Sequence, residues 1–174
     1  MANDFDARAL FEAMDAQRTA RGLSWPQVAR ELWEQSSALN QRRQDHPISP
    51  STLTGLEKRG DCTCQHALFV LRWLGRSPES FVRGYPAGRE IAPLPRVGDD
   101  RRLRWSLSAV YESLNDARLA RSLTWRELAR ELRCSESQLT GIRTARYAIG
   151  MTLMMRIVLW LERPAAAFVY AAEW

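Results

Sequence analysis

One stretch of this chain is written twice. Arg18-Thr-Ala-Arg-Gly-Leu-Ser-Trp-Pro-Gln-Val-Ala-Arg-Glu-Leu32 returns as Arg118-Leu-Ala-Arg-Ser-Leu-Thr-Trp-Arg-Glu-Leu-Ala-Arg-Glu-Leu132, with nine of fifteen positions identical at an offset of 100. Self-similarity at a fixed distance constrains a fold more than any composition does, because each copy must be one supersecondary unit that packs in the same way. In a chain of 174 residues, a repeat at that distance favours two small units over one large one.

The surrounding segments repeat as well. Ala7, Leu10, Phe11 and Met14 form the i, i+3, i+4, i+7 stripe of an amphipathic helix, and Leu107, Val110, Tyr111 and Leu114 form the same stripe in the second copy. Gly22 reads as the end of that helix, with Ser122 in its place. A second helix opens on Ser24-Trp-Pro-Gln27 and on Thr124-Trp-Arg-Glu127, both of capping-box form, and buries Val28, Ala29 and Leu32 or Leu128, Ala129 and Leu132. A third helix starts at Ser49-Pro50 in one copy and at the capping box Ser135-Glu-Ser-Gln138 in the other. Its inward residues are Leu53 and Leu56, and Leu139 and Ile142, around a shared Leu-Thr-Gly core. Here the offset has fallen to 86, so the first copy carries an insertion of about fourteen residues at about 34–47. A fourth helix is broadly apolar, from Ala67 to Leu74 and from Met151 to Leu161, and each copy closes on a Phe-Val pair at Phe81 and Phe168. The expected organisation is a first domain at 1–83, a Gly/Pro-rich linker at 84–104 and a second domain at 105–174.

Residues of the form Ser-Pro-Ser-Thr-Leu-Thr-Gly-Leu-Glu-Lys-Arg-Gly60, followed by a helix that ends Trp73-Leu-Gly-Arg-Ser-Pro-Glu-Ser-Phe81, carry a resemblance. The chain resembles the XRE-type, lambda-repressor-like helix-turn-helix proteins, over roughly 6–83 and again over 105–170. The resemblance implies an all-α fold of two tandem bundles of about five helices, in which the third helix enters the major groove. It implies double-stranded DNA as partner and a sequence-specific transcriptional regulator that uses its two units as a pseudo-dimer. Carried over by position, base-reading residues are Ser49, Ser51, Thr52 and Thr54 in the first copy, and Glu136, Ser137, Gln138 and Thr140 in the second. Phosphate contacts fall on Lys58, Arg59, Arg143 and Arg146, and on the capped second-helix starts near Ser24 and at Thr124 and Arg126.

Composition allows this and excludes little. A net charge of +5, almost wholly arginine with Lys58 as the one lysine, permits a polyanionic partner, and arginine suits bidentate phosphate and guanine contacts. No apolar run reaches the ~18 residues of a membrane span, and the first residues have no secretory pattern, so a cytoplasmic location without a membrane partner is expected. A second reading keeps the scaffold and drops the DNA. Glycine stands inside both third helices, at Gly55 and Gly141, tryptophan stands at Trp25 and Trp125, and the insertion interrupts the turn of the first copy. An antitoxin-like protein-interaction module, with a protein partner or a second copy of itself, fits those features. Trp25 and Trp125 are expected to pack as lids.

Cys62, Cys64 and His66, with His46 in the insertion, are the metal candidates, since thiolate and imidazole are good Zn²⁺ or Cu⁺ ligands. The second copy has no counterpart and the spacing is not that of a zinc finger, so reduced cysteines near a helix start are the preferred reading, with no metal and no cofactor. The histidines and cysteines form no nucleophile–base set and no glycine loop cradles phosphate, so no enzymatic activity is expected.

Overall fold

The repeat becomes two runs of helices in corresponding order. The computed structural model describes residues 4–145 and 148–174. The first run is α1 (Ala7–Ala20), α2 (Trp25–Glu34), α3 (Ser37–Asn40), α4 (Pro50–Thr54), α5 (Leu56–Arg59) and α6 (Cys64–Leu74), closed by a 3₁₀ turn at Pro78–Phe81. After a strand, β1 (Arg102–Trp105), the second run is α7 (Leu107–Ala120), α8 (Trp125–Glu131), α9 (Glu136–Gly141), a 3₁₀ turn at Ile142–Thr144, α10 (Met151–Leu161), a 3₁₀ turn at Ala165–Phe168 and β2 (Val169–Ala172). The expected starts are kept: Ser49 accepts from the Thr52 amide, Thr124 from the Glu127 amide and Ser135 from the Gln138 amide. Gly22 and Ser122 both hold the left-handed conformation that ends the first helix, at φ 63° and 54°.

The fold is largely helical rather than all-α. β1 and β2 form a two-stranded antiparallel sheet with Arg102 opposite Ala172 and Trp105 opposite Val169. Four-residue strands that pair across most of a domain leave no periodicity to read. The first copy has the same device in miniature, a single bridge from Phe5 to Val82. In both copies the residue before the first helix donates its amide to the closing phenylalanine, Asp6 to Phe81 and Ser106 to Phe168, each at 2.7 Å.

The insertion does not part the second and third helices of the first copy, as the interrupted turn led us to expect: α2 packs on α4 as α8 packs on α9. It leaves the pair at the rim as α3 and a loop, and it grips the segment expected to be a linker. Leu39 donates its amide to Asp99 O, and Ser36 Oγ donates to Arg101 O at 2.8 Å. The Arg102 side chain, 4% exposed, donates to Asn40 and pairs with Asp45 at 3.1 Å while lying over Trp33. Arg72 adds bonds to Val97 O and Gly98 O. The terminal nitrogens of this enclosed guanidinium and its aromatic face have partners, while its Nε has none among the described residues.

The two copies share one buried cluster. At its centre Thr63 pairs with Gly150 in an isolated antiparallel bridge, with Cys64 N donating to Ile149 O at 2.9 Å and Met151 N to Cys62 O at 2.8 Å. Thr63 and Gly150 are the same position of the repeat, at an offset of 87. An antiparallel pair between equivalent residues has a local two-fold axis through it, the isologous contact of a symmetric dimer made here within one chain. α6 packs on α10 beside it.

Candidate nucleic-acid interface

The repeated stretch is built mainly of groups that serve the fold. Arg18 donates to Leu23 O at 2.9 Å and Arg118 to Leu123 O at 2.6 Å, closing the turn between the first two helices. The same guanidinium lies over a tryptophan, Arg18 on Trp25 at 4.8 Å and Arg118 on Trp125 at 4.6 Å. Each tryptophan stacks in turn on the first helix, Trp25 on Phe11 at 5.5 Å and Trp125 on Tyr111 at 5.4 Å. Both are lids on the core, as expected. Glu31 accepts from Trp73 Nε1 at 2.8 Å and pairs with Arg21, and Glu131 accepts from Trp160 Nε1 at 2.7 Å. The Arg21 hydrogen bonds and that of Trp73 hold the Glu31 carboxyl below its ordinary range.

One charged identity has no such role. Arg30 and Arg130 are exposed on α2 and α8 and make no hydrogen bond or ion pair among the described residues. The sequence carried this signal: a repeated exposed arginine that no cap, ion pair or core position requires is a candidate for an external anion.

In the second copy Glu136, Ser137, Gln138, Thr140 and Arg143 are all exposed on α9 and the turn that follows it. Their polar groups are unequally free. Gln138 Oε1 accepts from the Ser135 amide at 2.9 Å and from Ser135 Oγ, so the cap uses the oxygen that a bidentate contact to adenine requires. Thr140 Oγ1 donates to Glu136 O at 3.2 Å, and Ser137 Oγ meets Ser135 Oγ at 3.0 Å. Glu136, expected to read a base, and Arg143, expected to meet phosphate, make no side-chain bond among the described residues. Arg146 lies outside the described residues.

The first copy presents less. Ser49 Oγ is within 2.9 Å of Ser51 Oγ and 2.8 Å of Thr52 Oγ1, a closed cluster of hydroxyls around the cap. Thr54 bonds back to Ser51 O. Arg59 folds over its own helix, donating to Gly55 O and Thr52 O at 3.2 Å each. The guanidinium lies close over Gly55, where a Cβ would displace it. Lys58, the other phosphate contact expected in this copy, is exposed and makes no hydrogen bond or ion pair among the described residues. At the capped starts, the Thr124 amide and Oγ1 are taken by Glu127 Oε2 at 2.8 and 2.7 Å, and Ser24 is engaged with Gln27 in the same way. These amides are already satisfied, whereas Arg126 in the same turn is exposed.

The cysteines and histidines do not assemble. Cys62 and Cys64 are buried, His66 is half-buried, and among the described residues no three His, Cys, Asp or Glu side chains come together as ligands. Burial, with the Asp61 charge, pushes the Cys62 thiol up to about 12, and burial raises that of Cys64 further from the thiolate that binds metal. Among the described residues no helix is long and apolar enough to cross a membrane. Comparison with protein-family models, with curated proteins and with solved structures finds no match.

Proposed function

We propose that the protein is a sequence-specific double-stranded DNA-binding regulator of transcription, made of two helix-turn-helix units fused as a pseudo-dimer. The observation that carries this reading is the Thr63–Gly150 bridge between equivalent positions. It follows the third-helix region of each copy in sequence, and a two-fold contact between equivalent positions is the relation that dimeric readers of paired half-sites have. The two readers are unequal. α9 supplies Glu136 for a cytosine amino group and Arg143 for guanine or phosphate, while the first copy, its hydroxyls closed on one another, acts chiefly through Lys58. Arg30, Arg126 and Arg130 complete the backbone contacts.

Retention on duplex-DNA resin tests the reading. Wild-type chain is expected to elute with rising salt, because each neutralised phosphate releases counterions, and an Arg126→Ala/Arg130→Ala/Arg143→Ala variant is expected to elute earlier. Unchanged elution of the variant rejects the second copy as the reader. The rival reading, a protein-interaction module on the same scaffold, is favoured by one observation: Ser49, Ser51, Thr52, Gln138 and Thr140 are bonded within the chain. It predicts no salt-dependent retention at all.

A further inference from the structure

We propose that the cleft at the start of α4, between the insertion and α6, is a binding site for a phosphate group. It encloses about 290 Å³ and is lined by His46 of the insertion, Ser49 and Thr52 of the α4 cap, His66 of α6 and Arg102 of β1. The chain has only two histidines, and both line this cleft. The second copy has neither the insertion nor a histidine, so the site belongs to the first copy alone.

The donors come from three elements. His46 is exposed and His66 half-buried, and neither imidazole makes a hydrogen bond or ion pair among the described residues. A neutral imidazole has one N–H to give. At α4, Ser49 Oγ meets Ser51 Oγ at 2.9 Å and Thr52 Oγ1 at 2.8 Å, so two contacts join three hydroxyls and one hydroxyl hydrogen is left for an outside acceptor. Single donors on separate sides suit the several oxygens of a phosphate. A carboxylate is matched instead by the parallel bonds of a free guanidinium fork.

The charges around the cleft favour an anion. Asp45 also lines it, but Arg43 pairs with that carboxylate at 2.7 Å and Arg102 at 3.1 Å. Two guanidiniums on one carboxylate leave a positive surplus. Arg102, held by Asp45 and Asn40 and 4% exposed, contributes field rather than contact. Burial and the Arg59 charge lower the His66 pKa, so a third guanidinium acts on the same wall. With its carboxylate taken, Asp45 does not join the imidazoles around a metal, and no such ligand set forms among the described residues.

The phosphate has two sources, the backbone of a duplex read by α4 and a free phosphate. The first source rests on the nucleic-acid reading and the second does not. Proton NMR of the full chain at constant pH tests the site through its two histidine Hε1 signals, which His46→Ala assigns. The probes are inorganic phosphate and a duplex, with sodium chloride and acetate at equal ionic strength as controls. Phosphate is expected to move both signals with Kd on the order of 1 mM. In His46→Ala, a change at an exposed position, the His66 signal should report binding weakened by about fivefold, the worth of one hydrogen bond. Movement by phosphate and duplex assigns the site to the DNA backbone, and movement by phosphate alone assigns it to a free ligand. Signals unmoved by phosphate, equal movement by chloride or acetate, or undiminished binding in His46→Ala overturns the proposal. Salt-dependent retention on DNA resin with unmoved histidines rejects this site and keeps the nucleic-acid reading, whereas phosphate binding without retention does the reverse.

Discussion

Asp61 caps a helix of the other copy: its Oδ1 accepts the Thr152 amide of α10 at 3.1 Å and the Cys62 amide at 2.8 Å. α6 is capped by its own Thr63, whereas α10 has glycine at the equivalent position and no cap of its own. Gly150 explains the exchange, because a Cβ there would occupy the place of the Asp61 carboxylate. The chain has replaced a local cap by one that joins the two units.

Gly150→Ala should therefore expel the carboxylate and cost about 1 kcal/mol, the worth of a typical cap. In an Asp61→Ala background the same change should cost nothing, since the space is already clear. Urea unfolding of the four species of this double-mutant cycle measures the coupling. Equal penalties in both backgrounds would show that Asp61 is not the cap.

Glu79 gives the seam a pH dependence. It is 1% exposed, Oε1 accepts the Ala165 amide of the other copy at 2.6 Å, and Oε2 has no partner among the described residues. Burial raises its pKa above the ordinary 4.5. The folded state thus binds the proton more tightly, so this contribution is complete below the unfolded value and is lost as pH rises through the folded one. Asp4 acts in the opposite sense. The Arg156 hydrogen bond holds its pKa below 3.8, and that contribution is lost as pH falls through the folded value. Melting temperatures from about pH 2 to about pH 8 should show Glu79→Gln removing the decline on the neutral side while leaving the acid limb of Asp4 in place.

Ser122 has φ 54° where the first copy has Gly22. A side chain in that region is strained, and the residue is exposed. Ser122→Gly should raise stability by about 0.5–1 kcal/mol, a shift of about 1–4 °C in melting temperature. Gly22→Ser should lower it by a similar amount in the same assay.

Arg30 and Arg130 are predicted to meet phosphate. Replacing each by alanine should weaken binding to all duplexes alike and reduce the slope of log K against log [salt] by about 1 per residue. The helical content should not change, because neither side chain touches the core. A change of sequence preference instead of slope would assign them to bases.

Much of the helical scheme was legible because periodicity and capping are local. The stripes at Leu10 and Met14 or Val110 and Leu114 are wholly buried, and the starts at Ser49, Thr124 and Ser135 are caps in the structure. What escaped was non-local. The short sheet depends on the pairing of Arg102–Trp105 with a segment nearly seventy residues away. The insertion read as an interruption because nothing in its polar composition announces that Asn40 and Asp45 would hold Arg102. At the candidate interface the sequence supplied the residue types but not their engagement: the Gln138 side-chain oxygen accepts the Ser135 amide in its own helix cap, and the Arg59 guanidinium is turned back onto Gly55 O. The pseudo-two-fold axis was hidden for the same reason, since Thr63 and Gly150 share neither identity nor motif.

The central claim is that this axis sets two unequal readers on one duplex. Selection of bound fragments from a random pool of duplex DNA tests it most directly. The account predicts an enriched motif of two half-sites in imperfect inverted repeat, centred about 10 base pairs apart, with the stronger half lost on Glu136→Ala/Arg143→Ala substitution. A pool that stays random through selection, or a motif unaffected by that substitution, would contradict it.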